Sequence, residues 1–173
     1  MAEPSQVPTG EIVQLSVSEA LKILSTEHPP IKLAQYRPTK SHFEIVPFEE
    51  GHGKQLHTIQ GLAQYPNGAM AVQTEFNQFV PLRQKPDAET EASATLSFMT
   101  WIAYEFQEPM PSERDRQVFA RMCGIMHSWP FWRAFVYSTL ADSGFATALV
   151  PLIQLPQAAQ MAGFKPDEAH PAS

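Results

Sequence analysis

Residues 129–157 read WPFWRAFVYSTLADSGFATALVPLIQLPQ, a helix-like stretch followed by an apolar run studded with proline. Pro130 suits the first position of a helix, where its missing N–H would have had no partner and its φ is already helical. Phe131, Trp132, Phe135, Val136 and Leu140 recur at helical spacing and put a broad, unusually aromatic stripe on one side. Gly144 suits the left-handed stop. The sequel ALVPLIQLP carries two prolines, so it reads as extended backbone on a surface, because proline is kept out of interior strands. An aromatic helix beside such a segment suits recognition of other extended chains of diverse sequence, to which Met and aromatic side chains adapt.

Outward from this stretch the pattern changes element by element. Ser112 with Asp115 three residues on is close to a capping box, and Val118, Phe119, Met122, Ile125 and Met126 repeat with helical spacing. This predicts a helix ending near His127. Before it, TLSFMTWIAYEFQE puts Leu96, Phe98, Thr100, Ile102, Tyr104 and Phe106 on alternate positions, with Met99, Trp101 and Ala103 between them. A strand apolar on both sides belongs in the middle of a sheet or at a subunit interface, and Phe98, Trp101 and Phe106 are the candidate interface residues. Pro66-Asn67-Gly68 between Leu56–Tyr65 and Ala69–Leu82 signals a hairpin. Ile31 to Phe48 alternates roughly and is interrupted at Pro38, the mark of an edge strand. Val17 to Leu24 predicts a short helix, capped by Ser16 or Ser18 and ended by His28-Pro29-Pro30. Strands segregated from helices indicate an α+β fold with an antiparallel sheet.

Composition bounds what such a fold does. The 173 residues suit one domain, expected over residues 11–156, with flexible ends at 1–10 and 157–173, where Pro, Ala, Ser and acidic groups leave little to bury. Apolar residues make up 43% and charged residues 17%, below the roughly 25% charged residues of ordinary domains, which favours self-association. A net charge of −6 without a basic stripe argues against nucleic acid and anionic membrane as partners. The opening residues lack a basic n-region and an apolar h-region, and no window approaches the ~20 apolar residues of a membrane span. With Cys123 as the only cysteine, a reducing cytoplasmic setting is expected.

Chemistry-bearing patterns are sparse. His42, His52 and His57 show no HxxxH, HExxH or CxxC spacing, so solvent-facing histidines are expected and no metal. Cys123 and His127 stand four apart on one helical face, but Cys123 falls in a stripe with Met122, Ile125 and Met126, where a buried thiol behaves as a small hydrophobe. No GxSxG or phosphate-cradling loop occurs. Glu105 and Glu108 read as a solvated strand end. No catalytic residue and no cofactor are expected, and Trp101, Trp129 and Trp132 serve either as core or as groove lining.

The 129–157 stretch resembles the SecB-like protein-export chaperone family. Pro130 matches the proline that opens the family's second helix, Phe131 and Arg133 its aromatic and basic positions, Gly144 the break, and Pro151 falls in the final apolar segment. Four preceding strand-like runs agree with the family's element order, so the resemblance spans roughly residues 31–156. It departs at Ala134, where family members usually carry Glu, and at the N-terminal helix-like segment, which lacks a clear counterpart. The resemblance implies an α+β fold, a four-stranded antiparallel sheet followed by two helices, assembled as a homotetrameric dimer of dimers. It implies ATP-independent binding of unfolded polypeptides in long apolar grooves and, in the best-known members, transfer to the SecA motor; other members protect an aggregation-prone antitoxin. The expectation is therefore a cytoplasmic, homo-oligomeric holdase with a client groove at Trp129, Trp132, Phe135, Leu149, Leu152 and Ile153. A dedicated adaptor for one partner is the alternative, and an enzyme using a metal at His52 and His57 the third reading.

Overall fold

The computed structural model describes residues 12–26, 31–47, 55–82, 92–143 and 150–167. Four strands, β1 (Ile31–Pro47), β2 (Gln55–Gln64), β3 (Met70–Leu82) and β4 (Ala92–Phe106), form one sheet in the order β1-β4-β3-β2. All pairings are antiparallel. The β2–β3 hairpin turns at Pro66-Asn67-Gly68: Gly68 takes a φ of 80°, the Gly68 N–H donates to the Tyr65 carbonyl at 2.9 Å, and Tyr65 N–H reaches the Ala69 carbonyl at 2.9 Å. Glycine is suited to that left-handed position, which L side chains enter reluctantly. β1 is an edge strand, and its register shifts between Pro38 and Lys40, where an irregular ladder accommodates the missing proline donor.

β4 lies between β1 and β3 in the middle of the sheet. Its even-numbered side chains, Leu96, Phe98, Ile102, Tyr104 and Phe106, stand opposite Met70, Val72 and Phe76 of β3 and are buried beneath the helical layer. Met99, Trp101 and Ala103 point to the other face, where the Arg37 guanidinium lies 5.5 Å from the centroid of the Trp101 ring.

The helical layer corrects one expectation. The helix predicted to end near His127 and the helix predicted to open at Pro130 are one 30-residue element, α2 (Glu113–Asp142), with Pro130 inside it. An interior proline deprives the carbonyl four residues earlier of its donor. That carbonyl belongs to Met126, and Met126 and Pro130 both sit on the exposed side of α2, the side on which water can stand in for the missing donor. Burial of Ile125, Ser128, Trp129, Trp132 and Val136 on the opposite side holds the two halves in line.

Two features set how α2 sits on the sheet. Gly124 allows close approach, since a Cβ there would meet Val72 Cγ1 at 2.5 Å. Four residues on, the buried Ser128 hydroxyl lies 2.7 Å from that of Thr100, itself 2.7 Å from Thr74. These three hydroxyls satisfy one another in the core.

α1 (Val17–Ser25) and α3 (Leu155–Met161) complete the layer. Ser16 caps α1 in a reciprocal box with Glu19. Residues 157–173, expected to be flexible, are instead packed as far as they are described: Ala158, Ala159, Ala162 and Phe164 are buried. Their small apolar area made the segment look unable to fold, but alanines pack closely when a neighbouring surface receives them. That surface includes α1, whose Val17 N–H donates to the Lys165 carbonyl at 2.8 Å while Lys165 N–H donates to Leu15 at 2.9 Å. Gly144 and Leu149 lie outside the described residues.

Candidate functional site

C-terminal to α2, residues 150–154 have no regular secondary structure, so their carbonyls need donors from elsewhere. α2 supplies them. Trp129 Nε1 donates to the Pro151 carbonyl at 3.0 Å, and Arg133 Nε to the Val150 carbonyl at 2.9 Å. Trp129 and Arg133 lie one helical turn apart, so the segment runs alongside the helix as an extended ribbon.

Between this ribbon, α2 and α3 lies a cavity of about 260 Å³ lined by Trp129, Pro151, Leu152, Ile153, Gln157, Gln160 and Met161. None of these side chains is charged. Leu152, 75% exposed, projects at the rim, while Ile153 is half-buried and packs on the core. The glutamines supply amide donors and acceptors beside apolar walls, which suits a chain that presents both backbone and apolar side chains.

Of the predicted groove residues, Trp129, Leu152 and Ile153 thus come together, although Trp129 is itself largely buried. Trp132 does not join them. It is fully buried, stacked on Phe76 with ring centroids 5.8 Å apart and near Phe98 at 6.4 Å, because three residues of helix turn it toward the sheet. Phe135 is half-buried and stacks on Phe98 at 5.4 Å. Phe98 and Phe106, expected at a subunit interface, are buried in the chain's own core by the even-numbered face of β4, whereas Trp101 stands on the opposite face. Gln157, Gln160 and Met161 were absent from the sequence expectation, which assigned them to a flexible tail. The signal available was Pro156 in a first helical turn, with Gln157 accepting from the Gln154 N–H at 3.1 Å.

A second apolar surface lies on the helix-facing side of β1. Leu33 and Ile45 are about half exposed there, and Tyr36 stacks on the exposed Phe131 with centroids 4.4 Å apart. The outer edge of β1 pairs with no strand among the described residues.

The nucleophile candidates are disarmed by their surroundings. Burial pushes the Cys123 thiol up to about 11, and His127 Nδ1 lies 3.0 Å from the Tyr104 hydroxyl. Burial also raises Tyr104 and lowers His127, each disfavouring its charged form. Glu105 faces Lys32 at 3.6 Å and Glu108 accepts from the Met110 N–H at 2.8 Å, so the two carboxylates have separate roles. His42 lies 3.4 Å from Glu44; His52 and the side chain of His57 are outside the described residues. Among the described residues, no three His, Cys, Asp or Glu side chains gather as a metal site.

The antiparallel sheet in this strand order with a long helix across one face is an α+β fold, and it is similar to that of a solved SecB-like chaperone. Among solved structures, the SecB-like chaperone Rv1957 of Mycobacterium tuberculosis, in complex with a ChAD peptide from the Rv1956 HigA1 antitoxin, is similar with a TM-score of 0.53 and 13% sequence identity, covering 80% of this chain and 98% of that one. No family model and no curated protein matches this chain.

Proposed function

We propose that this protein is an ATP-independent chaperone that binds non-native polypeptide segments, with no catalytic role. The observation that carries the reading is the uncharged cleft between Trp129, the Pro151–Ile153 ribbon and Met161, with Leu152 projecting at its rim. Clients of unrelated sequence share only backbone amides and apolar side chains, and this cleft offers partners for both. Binding keeps the client unfolded for export or handover, with a motor such as SecA as one receiver. The proposed place of work is the cytoplasm; among the described residues no helix is long and apolar enough to cross a membrane. The outer edge of β1, unpaired among the described residues and beside half-exposed Leu33 and Ile45, supports assembly with further copies of the chain as a dimer of dimers.

A dedicated adaptor is the second reading, favoured by the structural neighbour's complex with an antitoxin peptide. The two readings separate on client range. A general holdase suppresses aggregation of several unrelated reduced, unfolded proteins at stoichiometric ratios, with Leu152→Asp several-fold weaker. Protection confined to one partner supports the adaptor. No protection of any chain, with light scattering showing a monomer that never takes up client, would overturn both.

A further inference from the structure

Arg121 is a buried cation held without a carboxylate among the described residues. It sits on the core side of α2, 3% exposed, and burial lowers its guanidinium to about 10. Its Nε donates to the Ala162 carbonyl at 2.9 Å and its Nη1 to the Val13 carbonyl at 2.8 Å, while the Phe164 ring lies over the guanidinium at 4.0 Å. Gly163, at a φ of 81°, lets the chain turn there; a Cβ would come within 3.0 Å of Nη2. One side chain thus grips a segment before α1 and a segment after α3, separated by about the whole length of the chain.

Those segments also grip each other. Beyond the Val17 and Lys165 hydrogen bonds, the Asp167 carboxylate accepts from the Ser18 N–H and hydroxyl. Val13 N–H donates to Gln117 Oε1 at 3.0 Å, on the turn of α2 before Arg121. The alanine underside of α3 faces the core, and its other side contributes Gln157, Gln160 and Met161 to the cleft.

We infer that Arg121 is a positioning residue for the cleft: it locks the N-terminal segment and α3 into one strap, so that α3 forms the cleft wall only while residues 13–18 are docked. This rests on the cleft being the client site. The N-terminal segment then controls client affinity without touching the client. A 7-residue helix such as α3 is far below the length that is stable alone in water, so its position depends on these external grips.

The test uses the full chain. Arg121→Met keeps the apolar stem and deletes the donors, Arg121→Lys restores a charge able to reach only one carbonyl well, and Lys165→Pro removes one N–H from an exposed residue in case the first variant does not fold. Amide exchange is followed at Val17, Ala158, Ala162 and Phe164 and along β3–β4, and an unfolded, uncharged aromatic-rich peptide is titrated. In Arg121→Met and Lys165→Pro, exchange of the two terminal segments should rise together by about tenfold or more, as expected for loss of well-made hydrogen bonds, with β3–β4 unchanged. Peptide affinity should fall in parallel, and Arg121→Lys should lie between. Exchange rising in only one segment, rising equally in the sheet, or rising without loss of affinity would overturn the strap. A wild-type chain that binds no peptide would overturn the client-site reading instead, and the exchange data would still decide whether the segments form one unit.

Discussion

The indole Nε1 of Trp129 donates to the carbonyl of Pro151, 3.0 Å away, and so ties the middle of α2 to a ribbon that has no secondary structure of its own. One side chain thereby closes the floor of the cleft and holds its wall.

Trp129→Phe keeps most of the ring and removes that donor. Pro151 is exposed, so water partly replaces its lost partner at about 1 kcal/mol, and the volume lost from the buried indole adds about 1 kcal/mol or more. Urea unfolding measures the sum. Client affinity should fall more than stability does, because the ribbon loosens where Leu152 and Ile153 must be presented.

Gly124→Ala tests how closely α2 lies on β3. The added methyl meets Val72 Cγ1 at 2.5 Å, so overpacking of about 1–3 kcal/mol is expected. Val72→Ala removes the colliding methyls. The double variant should therefore be less destabilised than the two single changes added together, which thermal or denaturant melts of all four proteins will show.

The three core hydroxyls should not be equivalent. Ser128→Ala leaves Thr74 and Thr100 paired at 2.7 Å and should cost about 1 kcal/mol, whereas Thr100→Val strands Ser128 with only Thr74 at 3.4 Å and should cost more, up to about 3 kcal/mol. Equal losses in chemical denaturation would contradict this geometry.

Acid should release the terminal strap before it unfolds the sheet. Hydrogen bonds from the Ser16 backbone N–H and then its hydroxyl hold Glu19 below its ordinary range, and the Ser18 hydroxyl and N–H do the same for Asp167. Folding lowers both, so their contribution is fully present above the unfolded carboxylate range and is lost as pH falls through the folded values. Amide exchange at Val17 and Lys165 should rise below about pH 4 while β4 stays protected, and Ser18→Ala should flatten that pH dependence.

Legibility in the sequence followed the range of the forces involved. The hairpin at Asn67-Gly68, the Ser16 and Ser112 caps and the edge character of β1 rest on backbone preferences within a few residues, and the structure contains all of them. Pro130 misled for the same reason. Its local preference is for a helix start, but Trp129 and Trp132 are buried on either side of it, and their packing carries the helix through. The candidate cleft was half legible: Leu152 and Ile153 lie in a visibly apolar ribbon, whereas Gln157, Gln160 and Met161 belong to a helix whose stability comes from distant residues.

By itself the sequence determined the α+β class, the order of strands along the chain and the two-faced apolar character of β4, whose place at mid-sheet or at a subunit interface it left open, because alternation and turn chemistry are written in neighbouring residues. Only the tertiary structure decided that Trp132, Phe98 and Phe106 are core, that Ala158, Ala159, Ala162 and Phe164 are packed, and that Arg121 binds the carbonyls of both Val13 and Ala162. Those outcomes depend on which buried surfaces meet and on where unsatisfied carbonyls find donors. Such partners lie far apart along the chain, 108 residues for Arg121 and Val13 and 149 for Ser18 and Asp167, distances over which no local pattern carries information.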